Sequence, residues 1–179
     1  KTIDAILVAF DSGPNGSPGQ YLSYVDDFEI FVNNNPPSPP TGSTKLTIHT
    51  SFTGYESMRF IEEVQPAIVK ILDNFGPAAE VKARSPETKI VGRIYLPSQP
   101  QDGDPVRRAE EWWNAVGGKV LAHPEVDYWE GYNEPGIGSV AAMDWYSRHE
   151  KRRVEILAGH GLKACIGNFS TGVPDVSNP

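Results

Sequence analysis

Residues 127–135 read Asp127, Tyr128, Trp129, Glu130, Gly131, Tyr132, Asn133, Glu134 and Pro135. The first half of this run is typical of a β-strand, because aromatic residues are favoured in strands. We predict a strand from Val126 to Tyr132. Pro135 ends it, since proline lacks the backbone N–H that a sheet ladder needs. Asn133 and Glu134 are therefore predicted to lie where the strand passes into a loop.

Strand-like and helix-like segments alternate on both sides of this run. Strands are predicted at 45–50, 67–72, 89–96, 126–132 and 163–168. Amphipathic helices are predicted at 57–64, 78–83, 105–121 and 144–158. Asp104 provides a start signal for the third helix, and Gly159 and Gly161 end the fourth.

This alternation predicts parallel strands joined by right-handed crossovers. An open doubly wound sheet usually carries a Gly-rich turn after its first strand, and residues 50–54 match that pattern poorly. A (β/α)₈ barrel typically needs ~250 residues, so residues 45–179 would supply about its first five strands. We therefore predict an α/β fold, a partial TIM (β/α)₈ barrel.

A Pro-rich segment precedes the first of these strands. Residues 34–44 are dominated by Asn, Pro, Ser, Thr and Gly, a composition typical of extended linkers. Residues 1–33 are predicted to be the C-terminal strands of a β-sandwich, because two strands alone do not bury a stable core. The run from Tyr24 to Phe31 resembles the last strand of many jelly-roll carbohydrate-binding modules. The predicted organisation is thus a module at 1–33, a linker at 34–44 and a barrel segment at 45–179.

The composition excludes several classes of partner. The net charge is −7 at pH 7 and Lys and Arg form no run, whereas nucleic acids and anionic membranes are bound by clustered positive charge. No apolar stretch approaches the ~20 residues that cross a bilayer. Cys165 is the single cysteine of the sequence, which excludes an intrachain disulfide. We expect a monomeric protein with a neutral substrate and without a nucleic-acid or membrane partner.

The sequence Asn133, Glu134, Pro135 at the end of the fourth strand resembles the Asn-Glu-Pro signature of clan A glycoside hydrolases. These are retaining enzymes built on a (β/α)₈ barrel, and in them the motif closes the fourth strand. Retaining hydrolysis needs one carboxylic acid to protonate the departing oxygen and a second carboxylate as nucleophile. The resemblance implies that Glu134 is the acid/base and that Asn133 hydrogen-bonds the sugar 2-hydroxyl.

The resemblance also implies what lies beyond this segment. The nucleophile of the family is a Glu on strand seven, and no residue of this chain takes that place. We therefore expect the nucleophile outside this chain, and no turnover by this chain alone. Linkers of this kind are common in extracellular polysaccharide-degrading enzymes, so the expected substrate is a polysaccharide or oligosaccharide and the expected location is extracellular.

Other side chains near the predicted strand ends are candidates for substrate contacts. His49, Tyr95 and Asn168 are predicted to bind sugar hydroxyls or to orient Glu134, with satisfied polar residues at a barrel rim as the alternative. Trp145 is predicted to stack on a sugar face, and core packing is its alternative. Glu130 is a competing carboxylate, for which we favour a buried ion pair.

Two further functions fit the same pattern. One is a non-catalytic carbohydrate-binding barrel that lacks the second carboxylate. The other is a barrel enzyme of different chemistry, in which Glu134 is a proton-transfer base. The four histidines lack the spacing of a helical zinc motif, and we predict no metal site and no cofactor.

Overall fold

Five parallel strands form one sheet in the computed structural model, which describes residues 47–51 and 54–170. The strands are β1 (Ile48–Thr50), β2 (Ile68–Leu72), β3 (Lys89–Arg93), β4 (Tyr128–Glu130) and β5 (Ala164–Cys165). The helices between them are α1 (Tyr55–Val64), α2 (Ala78–Arg84), α3 (Pro105–Leu121) and α4 (Val140–Gly159). The predicted module at 1–33 and linker at 34–44 lie outside the described residues.

The order of the strands in the sheet is the order of the sequence, β1-β2-β3-β4-β5, and each neighbouring pair is parallel. The α/β class and the parallel pairing are therefore confirmed. A doubly wound sheet reverses its strand order at a switch point. No such reversal occurs within the part of the chain that the structure describes.

A single hydrophobic core joins the sheet to all four helices. Alternate residues of a strand face opposite sides, and one side of this sheet contributes Val69, Ile71, Ile90 and Trp129 to the core. The helices contribute Met58, Ile61, Ala78, Val81, Trp112, Val116, Val120 and Leu157. The intervening strand residues, among them Lys70 and Glu130, face the opposite side. No helix within residues 47–51 and 54–170 has the length and apolarity needed to cross a membrane.

Trp129 is the largest fully buried side chain of the described core. The edge of its ring meets Phe75 at 4.9 Å between centroids and an interplanar angle of 68°, an arrangement that aromatic quadrupoles favour. The neighbouring strand passes this indole at Gly92. A Cβ added there would lie 2.8 Å from Trp129 Cζ3 and 2.9 Å from Val126 Cγ1. Glycine is thus required at position 92 for the indole to fit.

The fourth helix begins earlier than the sequence pattern predicts. Its first residue is Val140 rather than residue 144, because Ser139 caps it and the Ser139 Oγ accepts a 3.1 Å hydrogen bond from the Ala142 N–H. Its end follows the prediction. Gly161 has a φ of 73°, and the Leu162 N–H donates to the Leu157 carbonyl at 2.9 Å, which is the pattern of a Schellman cap. The predicted cap at Asp104 is also confirmed, since its side chain accepts from the N–H groups of Val106 and Arg107.

Strands three, four and five are shorter than predicted. Lys89–Arg93, Tyr128–Glu130 and Ala164–Cys165 replace the predicted 89–96, 126–132 and 163–168. Beyond the ends of these strands, several backbone N–H groups bond to side chains instead of to the next strand, those of Tyr95, Asn133 and Gly167 among them. The Tyr95 N–H, for example, donates to Asp73 Oδ1 at 2.8 Å.

We predict that Gly92→Ala destabilises the fold by about 1–3 kcal/mol, the usual cost of overpacking a close-packed core. The matched control is Gly118→Ala within α3, where the added Cβ would meet no described atom within 4 Å other than its chain neighbours and the backbone of its own helix. That control should gain about 0.5–1 kcal/mol, because alanine is the better helix former. Urea unfolding measures both variants. Equal effects of the two substitutions would contradict the packing around Trp129.

Candidate active site

Glu134 lies in the loop after β4, four residues beyond Glu130, and its side chain is exposed. Its φ is 46°, in the left-handed region that costs a non-glycine residue roughly 1–2 kcal/mol. Backbone conformations of this kind persist only where surrounding contacts determine them, and they cluster at functional sites. The loop around Glu134 therefore has to be held in place by specific partners.

Asn168, in the segment after β5, provides one of these partners. Its backbone carbonyl accepts a 3.0 Å hydrogen bond from the Glu134 N–H, and its side-chain Nδ2 donates to the Tyr132 carbonyl. The structure thus brings three predicted site residues, Asn133, Glu134 and Asn168, together at the adjoining ends of two strands. Asn168 Oδ1 is buried and has no hydrogen-bond partner among the described residues.

Two glutamines in the loop between β3 and α3 provide the other partners. Gln99 Oε1 accepts from the Asn133 N–H at 2.5 Å, and Gln99 Nε2 donates to the Asn133 carbonyl at 3.2 Å. Gln101 Oε1 accepts from the Gly136 N–H at 2.6 Å, and Gln101 Nε2 donates to the Gly136 carbonyl at 3.1 Å. Sequence reasoning missed both residues, because their partners lie 34 and 35 positions further along the chain.

Glu130, the competing carboxylate, is an ion-pair partner inside the sheet. Its side chain is 1% exposed and its Oε2 lies 2.7 Å from Lys70 Nζ on β2. The Arg93 Nε on β3 is 3.8 Å from the same oxygen. The preferred interpretation of Glu130 as a buried ion-pair partner is confirmed. Of these two glutamates, Glu134 is the exposed one.

Arg153 of α4 supports the strand ends from the core side. Its fully buried guanidinium donates from Nη1 to the Trp129 carbonyl at 2.9 Å and from Nη2 to the Cys165 carbonyl at 2.7 Å. It also pairs with Glu150, with both carboxylate oxygens 3.0 Å from Nε. Gly131 lies against this pair, since an added Cβ would be 2.5 Å from Arg153 Nε. One helix side chain thus fixes the ends of β4 and β5 together.

Trp145 lies in α4 and packs against the core. Its indole N–H donates to the Gly103 carbonyl at 2.8 Å, and its ring stacks on His149 at 5.3 Å between centroids. The other neighbour of the His149 ring is Tyr132, at 4.5 Å. These contacts favour packing as the role of Trp145, and a sugar contact stays a prediction.

The remaining two predicted residues lie on other strands. His49 is an exposed residue within β1, three strands away from β4 in the sheet, which corresponds to about 14 Å at the usual strand spacing. Tyr95 follows β3, the strand next to β4, and is 59% exposed. Tyr95 is thus the nearer of the two to the Glu134 loop in strand order.

Comparison of the chain with models of protein families, with curated proteins and with solved structures found no match. Within residues 47–51 and 54–170, no three His, Cys, Asp or Glu side chains group as metal ligands would. The case for a function therefore depends on the loop that carries Glu134.

We predict that Glu134→Gly stabilises the fold by about 1 kcal/mol, because glycine adopts a positive φ without the steric cost of a Cβ. Glu134→Ala is the matched control, since it removes the same carboxylate but keeps the Cβ. Urea unfolding of both variants gives the difference. If alanine stabilises as much as glycine, the left-handed conformation of Glu134 is not a source of strain.

We predict that the stability of the fold depends on pH through the buried pair of Glu150 and Arg153 in α4. Burial by itself raises the pKa of Glu150. Hydrogen bonds from His149 and Arg153 lower the pKa by more than burial raises it, so the net shift is downward. A glutamate whose pKa is lowered by folding contributes its full stabilisation when the pH is above the pKa of about 4.3 that it has in the unfolded protein. This stabilisation is lost as the pH falls through the lower pKa of the folded protein. Unfolding free energies from neutral pH to about pH 3 should decline accordingly.

Glu150→Gln is the control for that pH dependence. It should cost roughly 3–5 kcal/mol at neutral pH, because it leaves the Arg153 charge buried and unpaired. Its stability should also fall less steeply with acid than that of the unmodified protein. Parallel curves for the two proteins would show that Glu150 does not contribute through its charge.

Proposed function

We propose that this protein is a retaining glycoside hydrolase in which Glu134 is the general acid/base, and that residues 45–179 form the first five strands of a (β/α)₈ barrel. One observation carries the proposal. Glu134 extends from the end of β4 in a left-handed conformation, held by residues that follow β3 and β5. Gln65 and Asp73 also have a positive φ, so strain alone does not single out Glu134. What supports function is that this strained residue carries an exposed carboxylate and is held by bonds from two neighbouring loops.

The sheet supports a barrel as the parent architecture. Right-handed crossovers between strands in sequence order place every helix on the same face, and all four described helices share one core with one face of this sheet. In a barrel, the helices form the outer ring and the active site lies at the C-terminal ends of the strands. Glu134, Asn133 and Asn168 all follow such ends.

Retaining hydrolysis requires different roles of its two carboxyl groups, the acid/base and the nucleophile. Glu134 would protonate the glycosidic oxygen as the bond breaks and would then take a proton from the water that releases the glycosyl-enzyme. The nucleophile would come from outside the described residues, about 5–5.5 Å from Glu134 as retention requires. Asn133 would bind the 2-hydroxyl, a contact that strengthens in the transition state.

The expected substrate is a polysaccharide or oligosaccharide linked through oxygen, handled outside the cell by a monomeric protein. The exposed Glu134 offers a carboxyl group at the end of β4, next to the half-buried Asn133. Sugar hydroxyls match such groups in number and kind. The Pro-rich linker ahead of the sheet supports an extracellular, modular enzyme.

We predict that Glu134→Gln in the full-length protein loses about 10²–10⁴-fold in kcat on glycosides with poor leaving groups, because these need protonation. Activated aryl glycosides should lose much less in the first step. Added azide should restore turnover, since a small anion attacks the glycosyl-enzyme without a base. Steady-state kinetics on a series of aryl glycosides, with and without azide, measures both effects.

Asn133→Ala is the control for that experiment. It removes a transition-state contact rather than a proton donor, so every substrate should slow to a similar extent and azide should have no effect. If Glu134→Gln instead slows activated and unactivated glycosides equally without azide rescue, Glu134 is not the acid/base. Sugar binding without hydrolysis by the unmodified protein would favour a carbohydrate-binding barrel.

A further inference from the structure

We propose that Gln99 and Gln101 are positioning residues for Glu134. They lie in a different loop from the acid, and by fixing its position they set the rate at which it transfers its proton. This inference rests on the proposed acid/base role of Glu134. Each glutamine uses both ends of its carboxamide on a single residue of the Glu134 loop, Gln99 on Asn133 and Gln101 on Gly136. The two contacts lie on either side of Glu134.

A carboxamide offers the same donor and acceptor as a peptide group. Each glutamine therefore bonds the N–H and the carbonyl of its target as a neighbouring strand would bond a residue of a sheet. The distances are 2.5 Å and 3.2 Å at Asn133, and 2.6 Å and 3.1 Å at Gly136. Beyond the end of β4, the two glutamine side chains thus take the hydrogen-bonding role that a neighbouring strand has in a sheet.

The two glutamines complete the hydrogen bonding of the loop. Asn133 and Gly136 donate to Gln99 and Gln101, Glu134 donates to the Asn168 carbonyl at 3.0 Å, and Pro135 has no N–H. Every main-chain donor from 133 to 136 is thus bonded. The left-handed Glu134, with a φ of 46°, lies between these bonded groups.

The segment that carries the glutamines is itself restricted. Pro100 stands between them, and its ring fixes its own φ and disfavours a helical conformation for Gln99. In extended backbone, residues two apart point the same way, so both carboxamides reach the same loop. The fit at Gly136 is close, because an added Cβ would lie 3.3 Å from Gln101 Oε1.

The consequence for catalysis is geometric. A proton donor has to lie within hydrogen-bond reach of the glycosidic oxygen, and a displacement of about 1 Å from remote changes can cost 10²-fold. Loss of either glutamine contact frees one side of Glu134 to leave its left-handed conformation. Acid catalysis should therefore weaken in both cases. Because Gln99 bonds Asn133 itself, loss of Gln99 should add a smaller loss common to all substrates, which loss of Gln101 should not.

The test uses Gln99→Glu and Gln101→Glu in the full-length protein. A glutamate has nearly the size of glutamine and still accepts from an N–H, but its carboxylate has no donor for the carbonyl. Each variant should lose about 10²-fold in kcat on glycosides with poor leaving groups. On activated aryl glycosides the loss in kcat/KM, which reports the first displacement, should be much smaller. KM for glycosides with poor leaving groups should change little.

The matched control is Gln65→Glu at the end of α1. Gln65 Nε2 donates to the carbonyls of Glu62 and Arg84 at 2.8 Å and 3.0 Å, so the same chemical change is made in another part of the sheet-and-helix unit. Gln65→Glu should lower the unfolding temperature without altering kcat. Amide hydrogen exchange adds a reading that needs no substrate, since exchange at Glu134 and Gly136 should accelerate in Gln99→Glu and Gln101→Glu but not in Gln65→Glu.

Two outcomes would overturn the inference. One is a loss in the glutamine variants that is equal for activated and unactivated glycosides, or no greater than that of Gln65→Glu. The other is unchanged amide exchange at Glu134 and Gly136. Glu134→Gln, measured alongside, separates the two proposals. If it shows leaving-group dependence while the glutamine variants do not, only the positioning role fails. If it shows none, the acid/base role fails and the positioning role with it.

Discussion

The buried guanidinium of Arg153 is the interaction on which the site depends most. It reaches from α4 to the carbonyls of Trp129 and Cys165, and Glu150 balances its charge. A buried ion pair adds little to stability overall, but it is costly to break on one side. Because one rigid group bonds both strands, the ends of β4 and β5 keep a fixed separation. The Glu134 N–H can then reach the Asn168 carbonyl.

Glu134 has to be both held and reachable. Its side chain is exposed and its backbone is in a region that non-glycine residues avoid. Three loops share the work of holding it, through Gln99 and Gln101 after β3, its own loop, and Asn168 after β5. All three follow the C-terminal ends of neighbouring strands in the parallel sheet. The strained backbone of Glu134 lowers the stability of the fold, and such a cost is typical of residues that are needed for function.

The sequence was sufficient for features that depend on local pattern. Alternating apolar runs predicted the parallel sheet, and Asp104 and Gly161 predicted helix ends where they are found. Features that depend on distant contacts were missed. Gln99 bonds to a residue 34 positions away, and the backbone of Tyr95 to a side chain 22 positions away, which no local pattern encodes. The start of α4 is different, because its Ser139 cap is local and was not recognised. The placement of Glu134 relative to Asn168 was anticipated only as proximity of two strand ends.

The most direct test of a retaining mechanism is the anomeric configuration of the sugar first released from an aryl glycoside by the full-length protein. Proton NMR, recorded before the free sugar mutarotates, distinguishes the two anomers. With Glu134 as acid/base and a carboxylate nucleophile, two displacements occur and the first product keeps the configuration of the substrate. An inverted product would contradict the assignment, since water would then attack directly and no glycosyl-enzyme would form.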